Sequence, residues 1–219
     1  MEINFKKTLL LIIDVQNDFC PGGALAVTDG DAVVEPINNL SVEFSKRGAL
    51  IAATQDWHKP GHISFASSHN GKKPGDIIDT VNVKAQVLWP DHCVQGTKGA
   101  DFHPSLDLNP VTNIIRKGFR QELDSYSAFF ENDSSTATGL EGCIKQTNIQ
   151  TVIISGLATD YCVFYSAMDS RRLGFNTIVV SDAIRGVNYP EGSVEKAITE
   201  MKSAGIKFYS TQEILDSLK

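Results

Sequence analysis

The chain has 219 residues, of which 42% are hydrophobic and 21% charged, and a formal net charge of −6. These values are ordinary for a globular protein, and we expect a single domain over residues 1–219. The negative charge argues against nucleic acid or an anionic membrane as a partner, and no apolar run is long enough to span a bilayer. Four cysteines without a Cys-x-x-Cys pair, and a start unlike a signal peptide, predict a cytoplasmic protein.

Apolar, β-branched runs alternate with amphipathic segments along the chain. The predicted strands are 8–13, 49–54, 111–115, 151–155, 177–181 and 206–209, and the predicted helices are 31–47, 138–147, 159–173, 190–203 and 211–218. Continuous apolar runs are typical of parallel strands that are covered on both faces. The sequence therefore predicts an α/β fold, a three-layer α/β/α sandwich with a central, mainly parallel six-stranded sheet. The long irregular stretch at about 55–110 is interpreted as a functional loop insertion.

Cys162 follows the fourth predicted strand and a glycine turn, in the first turn of a predicted helix. Unpaired backbone N–H groups and the helix dipole at such a position favour a thiolate, which is the nucleophilic form of cysteine. A buried cysteine is also an ordinary core residue. Position alone therefore leaves both interpretations open.

Other reactive side chains follow the neighbouring predicted strands, and the carboxyl ends of parallel strands are where ligands bind in open sheets. Asp14 follows the first strand, and Lys117 follows the third. Lys117 can hold Asp14 and Cys162 in a charged network, while Asp14 can accept the thiol proton and return it to a leaving group. The alternative for Asp14 and Lys117 is an ordinary buried ion pair.

Asp56 and His58 suggest a metal site, because residues two apart in an extended chain project from the same side. Three protein ligands would leave open positions, as in a catalytic centre. His92 is the preferred third ligand, and the residues that compete with it on sequence alone are His62, His69, His103 and Cys93. Two nitrogens and one oxygen suit zinc, iron or manganese. The alternative is a hydrogen-bonded Asp–His pair without a metal.

These residues lie in longer motifs that resemble the isochorismatase-like cysteine hydrolase superfamily, and within it the metal-containing nicotinamidases. The matching motifs are Asp14-Val-Gln-Asn-Asp-Phe19, Asp56-Trp-His58, Leu88-Trp-Pro-Asp-His-Cys93, Lys117-Gly118, Asp124-Ser-Tyr126 and Gly156-Leu-Ala-Thr-Asp-Tyr-Cys-Val163. They occur in the family's order over nearly the whole chain.

The resemblance implies hydrolysis of nicotinamide to nicotinate and ammonia through a thioester on Cys162, as part of NAD salvage. It implies one divalent metal, zinc before iron or manganese, that holds the pyridine nitrogen of this small-molecule substrate. The implied site residues are the triad Asp14, Lys117 and Cys162; the metal ligands Asp56, His58 and His92; the oxyanion-hole donors Ala158 and Cys162; the ring-binding Phe19, Trp89 and Tyr126; and Ser64 close to the metal. A cis Leu157–Ala158 bond is also implied, and a homo-oligomer is compatible with the resemblance.

Two other functions compete with this one. A related carbamoyl or ureido amidohydrolase would use the same triad, but such relatives generally lack the Asp-x-His block. A non-catalytic metal-binding module would keep Cys162 as a core residue, and its thiol would resist mild alkylation.

Overall fold

The computed structural model describes residues 3–145 and 147–218. Its strands are β1 Thr8–Ile13, β2 Leu50–Asp56, β3 Ile77–Ile78, β4 Gln86–Val87, β5 Asn113–Lys117, β6 Thr151–Leu157, β7 Asn176–Arg185 and β8 Lys207–Tyr209. Its helices are α1 Val34–Lys46, α2 Leu140–Lys145, α3 Phe164–Arg172, α4 Ser193–Ser203 and α5 Thr211–Asp216. Position 146 of the predicted helix 138–147 lies outside the described residues. None of the described helices combines the length and apolarity that a bilayer crossing requires.

Among the described residues, six strands form one parallel sheet in the order β5-β2-β1-β6-β7-β8, and β3 pairs with β4 in a separate antiparallel ribbon. The predicted α/β/α fold class is confirmed. From β1 the chain runs outward through β2 to β5, then returns to the other side of β1 and continues through β6, β7 and β8. The strand order reverses between β1 and β6, and such a switch point opens a crevice at the carboxyl ends of the strands.

The apolar side chains of β1 divide between two cores, one on each face of the sheet. Leu10 and Ile12 belong to the core that contains buried residues of α1 and α5. Leu9 and Leu11 belong to the core that contains buried residues of α2, α3 and α4. Because successive side chains of a strand point to opposite faces, a continuous apolar run fits a strand covered on both sides.

Several boundaries differ from those predicted, and the differences matter for the site. β2 and β5 extend into polar sequence because the parallel ladder between them continues to the pair Asp56 and Lys117, which end the two strands. Residues Thr159–Val163 form a wide π-type turn, and regular helix begins only at Phe164. Cys162 therefore lies in the turn that leads into α3 and not in its first regular turn.

The segment between β2 and β5 is the region predicted as a loop insertion, and isolated backbone bridges tie it to itself. His58 pairs with Val94, and Phe65 pairs with Trp89. The β3–β4 ribbon lies within the same segment. These contacts fold the segment back over the carboxyl ends of β2 and β5, where its histidines and tryptophan join the polar residues of the sheet.

Candidate active site

Lys117 lies at the centre of a buried polar cluster at the carboxyl ends of β1, β2, β5 and β6. Its ammonium Nζ is 2.8 Å from Asp14 Oδ2 and 3.1 Å from Asp56 Oδ1. It also donates to the carbonyl oxygen of Ser125 at 3.0 Å and lies 3.4 Å from the sulfur of Cys162. Lys117 and Asp14 are fully buried. The structure thus brings the three residues of the predicted triad into one network.

Asp14 is held in place from both its backbone and its side chain. It follows β1 in the left-handed region, with φ of 45°, a conformation that aspartate tolerates better than most residues. Its Oδ1 accepts a 2.6 Å hydrogen bond from the hydroxyl of Thr54, and that hydroxyl oxygen accepts the Asp14 N–H at 3.1 Å. The other carboxylate oxygen is left to face Lys117, so the orientation of the carboxylate is fixed.

Burial dominates the acid–base chemistry of this cluster. Burial raises the pKa of the Cys162 thiol well above its usual value, although the charge of Lys117 opposes the rise. Burial of Cys162 thus opposes the thiolate that its position after the strand predicts, whereas Lys117 favours it. Burial also raises the pKa of Asp14, against the effect of Lys117, and makes this carboxylate a better proton acceptor. Burial acts to lower the pKa of Lys117, but the two carboxylates hold it well above its usual range.

Asp56, His58 and His92 offer ligand atoms that all lie within 4.8 Å of one another. The Nδ1–H groups of His58 and His92 donate to the carbonyl oxygens of Gly118 at 2.9 Å and Pro90 at 2.8 Å. These bonds orient both rings so that their Nε2 atoms face Asp56 Oδ2, at 2.9 and 3.4 Å. Two oriented imidazoles and a carboxylate fit a divalent transition metal.

The histidines that competed with His92 have other partners. His62 donates from Nε2 to the carbonyl of Arg120 at 2.8 Å, and its Nδ1 accepts the hydroxyl of Ser64 at 2.8 Å. Ser64, predicted close to the metal, thus bonds to His62. Ligand atoms of His62, His58 and Asp124 also lie within 4.8 Å of one another and form a second candidate metal group. The Nε2 of His69 donates to a backbone carbonyl at 2.8 Å, and His69 lines a different cavity.

A small cavity opens between the cluster and the loops above it. It is lined by Phe19, Leu25, Asp56, His58, Trp89, His92, Asp124, Tyr126, Ala158, Tyr161, Cys162 and Val187. Trp89 donates from Nε1 to the hydroxyl of Tyr126 at 3.0 Å. The ring of Trp89 packs edge-to-face against that of Tyr161, with 4.8 Å between the ring centroids. The peptide bond between Leu157 and Ala158 is cis, as the resemblance implied. The wall residues thus form an aromatic slot between the cysteine and the metal ligands.

Sequence reasoning did not assign four of the lining residues: Leu25, Asp124, Tyr161 and Val187. Asp124 is buried, lies 4.0 Å from His58 Nε2 and accepts a 3.0 Å hydrogen bond from Gln86 Nε2. Its position in the matched motif Asp124-Ser-Tyr126 could have identified it as a site residue. Leu25 lies in the continuation to Val27 of the matched motif that begins at Asp14, whereas Val187 is a single apolar residue in a loop outside every matched motif.

The comparisons with known proteins agree with this geometry. The isochorismatase domain family matches residues 8–213 of the chain. A nicotinamidase of Acinetobacter baylyi is 48% identical over 98% of this chain and 99% of its own length. The solved structure of the Acinetobacter baumanii nicotinamidase and pyrazinamidase superposes with a TM-score of 0.90, at 44% identity over 95% of this chain and 98% of that one. A pyrazinamidase of Pyrococcus horikoshii, solved in complex with zinc, superposes with a TM-score of 0.76, at 35% identity over 93% of this chain and 99% of that one.

Proposed function

Because the chain belongs to the isochorismatase family of hydrolases, we propose that it converts nicotinamide to nicotinate and ammonia. The observation that carries the proposal is that Cys162 lines the same aromatic slot as His58 and His92, whose Nδ1 atoms are both bonded to backbone carbonyls. A flat pyridine ring fits between aromatic walls. If the ring nitrogen of nicotinamide faced the metal ligands, the carboxamide of the substrate would point towards the cysteine. The relatives named nicotinamidase and pyrazinamidase support the same substrate class.

The first half of the reaction forms a thioester. Asp14 takes the proton of the Cys162 thiol, and the sulfur attacks the carboxamide carbon. The N–H groups of Ala158 and Cys162 stabilise the negative oxygen that develops. Asp14 then gives the proton to the nitrogen, the C–N bond breaks, and ammonia leaves. Lys117 remains cationic throughout and stabilises the carboxylate and the thiolate in turn.

The second half of the reaction releases the acid. Asp14 accepts a proton from a water molecule, whose oxygen attacks the carbonyl carbon of the thioester. The C–S bond breaks, Cys162 recovers its proton from Asp14, and the product leaves as nicotinic acid, which loses its proton to solvent to give nicotinate. Each proton that Asp14 accepts is returned within the cycle, so one water is consumed for each ammonia formed.

The chain's own residues fit a metal beside this chemistry. Asp56, His58 and His92 would hold one divalent ion, with zinc as the first expectation. The ring of Phe19, whose centroid lies 5.5 Å from that of His92, would pack beside the pyridine ring of the substrate. When bound, the ion supplies a Lewis acid for the pyridine nitrogen. The zinc complex of the Pyrococcus horikoshii relative supports a divalent metal.

The test is ammonia release from nicotinamide by metal-loaded protein. We expect turnover by the wild type, loss of turnover in Cys162→Ala, and wild-type turnover in the matched control Cys143→Ala, because Cys143 is an exposed thiol on α2. Intact-mass measurement after acid quenching should detect a nicotinoyl adduct in the wild type and none in Cys162→Ala. Wild-type protein that releases no ammonia would refute the proposed substrate.

Elemental analysis separates this function from the carbamoyl or ureido alternative. We expect one transition metal per chain. The carbamoyl or ureido alternative would be favoured if the protein hydrolysed a carbamoyl amide, did not hydrolyse nicotinamide and contained no stoichiometric metal. Metal-loaded protein that hydrolyses neither nicotinamide nor a carbamoyl amide would favour the non-catalytic module.

A further inference from the structure

Asp160 is a buried carboxylate two residues before Cys162, in the turn that leads into α3, and only 7% of its surface is exposed. It does not line the cavity. We propose that Asp160 is a positioning residue that fixes the 186–192 loop, which follows β7, as one wall of the substrate cavity. The inference rests on the proposed function, because it assigns the loop a part in holding the amide substrate.

The carboxylate of Asp160 is fully used by donors from this loop and from the start of α4. Its Oδ1 accepts the N–H of Val187 at 3.0 Å. Its Oδ2 accepts the N–H of Asn188 at 2.9 Å and the hydroxyl of Ser193 at 2.6 Å. Hydrogen bonds to an ionised acceptor are the strong class. Since Val187 lines the cavity, Asp160 acts on the substrate through Val187.

The next residue of the same turn holds the same loop. The hydroxyl of Tyr161 donates to the carbonyl of Tyr189 at 2.5 Å, while the ring of Tyr161 lines the cavity. Gly186 lies so close to the turn that a Cβ there would stand 3.0 Å from Asp160 Oδ1. Two successive side chains from the turn of Cys162 thus fasten the 186–192 loop, and the position of the wall is coupled to that of the nucleophile.

Replacement of Asp160 by asparagine should release the loop. Asparagine keeps one acceptor oxygen but places an NH₂ group against donors, so at least one backbone N–H of the loop loses its partner. Ser193→Ala removes a single hydrogen bond and should have a smaller effect in the same direction. Asp169→Asn is the matched control, because Asp169 lies on α3 and pairs with the half-exposed Arg172 at 3.1 Å.

The experiment combines hydrogen exchange of the 186–192 loop with kinetics on nicotinamide. For Asp160→Asn we expect amide exchange at Val187 and Asn188 to accelerate about tenfold or more, and KM to rise about tenfold, as loss of one charge-assisted hydrogen bond implies. Metal content should stay at the wild-type level, and kcat should fall less than KM rises. Ser193→Ala should show a smaller shift of both readouts, and Asp169→Asn neither.

The outcomes separate the inference from the proposed function. Unchanged hydrogen exchange in Asp160→Asn would overturn the inference. Faster exchange with an unchanged KM would also overturn it, because Asp160 would then stabilise the loop without affecting substrate binding. If Asp160→Asn does not fold, Ser193→Ala decides by the same two readouts. Wild-type protein without nicotinamidase activity would refute the proposed function, while hydrogen exchange would still show whether Asp160 fixes the loop.

Discussion

Lys117→Met is the sharpest test of the buried cluster. The substitution keeps the length of the side chain but removes an ammonium that lies 2.8 Å from Asp14 and 3.1 Å from Asp56. Removing one partner of a buried ion pair costs about 3–5 kcal/mol, because the remaining charges lose their compensation. In a domain of this size about 1 kcal/mol shifts the melting temperature by about 2–4 °C, so we expect a fall of roughly 6–20 °C. Turnover should be lost as well.

The assay is thermal unfolding followed by far-ultraviolet circular dichroism at pH 7 with a chelator present. Lys46→Met is the matched control, because its ammonium also lies 2.8 Å from a carboxylate, that of Glu43, but its side chain is 63% exposed. Exposed pairs of this kind contribute about 0–1 kcal/mol. The double variant Lys117→Met with Asp14→Asn should recover part of the loss, since it removes one uncompensated charge. Equal shifts for the Lys117 and Lys46 variants would refute the reasoning.

Three further predictions concern the metal ligands, a buried carboxyl and the aromatic wall. His92→Ala should reduce bound metal, measured by elemental analysis, whereas His69→Ala should leave it unchanged. The reverse result would assign the third metal ligand to His69 and not to His92. Burial raises the pKa of Glu131 from its usual value of 4.5 to about 7. Between these two pH values the folded chain keeps a proton that the unfolded chain has lost, so the stability of the fold decreases as pH rises through this window. The melting temperature of Glu131→Gln should therefore gain on that of the wild type from pH 5 to pH 7.5, and a constant difference would contradict the shifted pKa. Trp89→Phe removes the donor to Tyr126 and should raise KM for nicotinamide about two- to tenfold, for a hydrogen bond of about 0.5–1.5 kcal/mol, with kcat nearly unchanged.

The sheet and the triad could be predicted from the sequence because both depend on local pattern. In the run from Thr8 to Ile13, every residue after Thr8 is apolar, as a strand buried on both faces requires, and the run forms the central β1. In a parallel sheet the residues that end neighbouring strands meet at one edge, so Asp14, Lys117 and Cys162 could be grouped before any coordinates were known. The motifs around them then indicated the family.

The choice among the histidines could not be made in this way, because it depends on partners far along the chain. His62 is bonded at Nε2 to the carbonyl of Arg120, which lies 58 residues away in sequence, and at Nδ1 to the hydroxyl of Ser64. His92 is oriented by the carbonyl of Pro90, within a segment that has no regular period. Hydrogen bonds to backbone groups leave no signature in residue types, so only the folded path of the chain decides which ring nitrogens remain free.

The sequence by itself determined which side chains meet at the edge of the sheet, since the positions of apolar residues show where each strand ends and the carboxyl ends of parallel strands share one edge. Only the tertiary structure decided their protonation and their enclosure. The place of Cys162 before a helix favours a thiolate, whereas its burial in the folded chain raises the pKa of the thiol. Val187 joined the cavity because Asp160 binds its backbone N–H. Desolvation and loop position depend on everything that packs around a residue, and no short stretch of sequence contains that information.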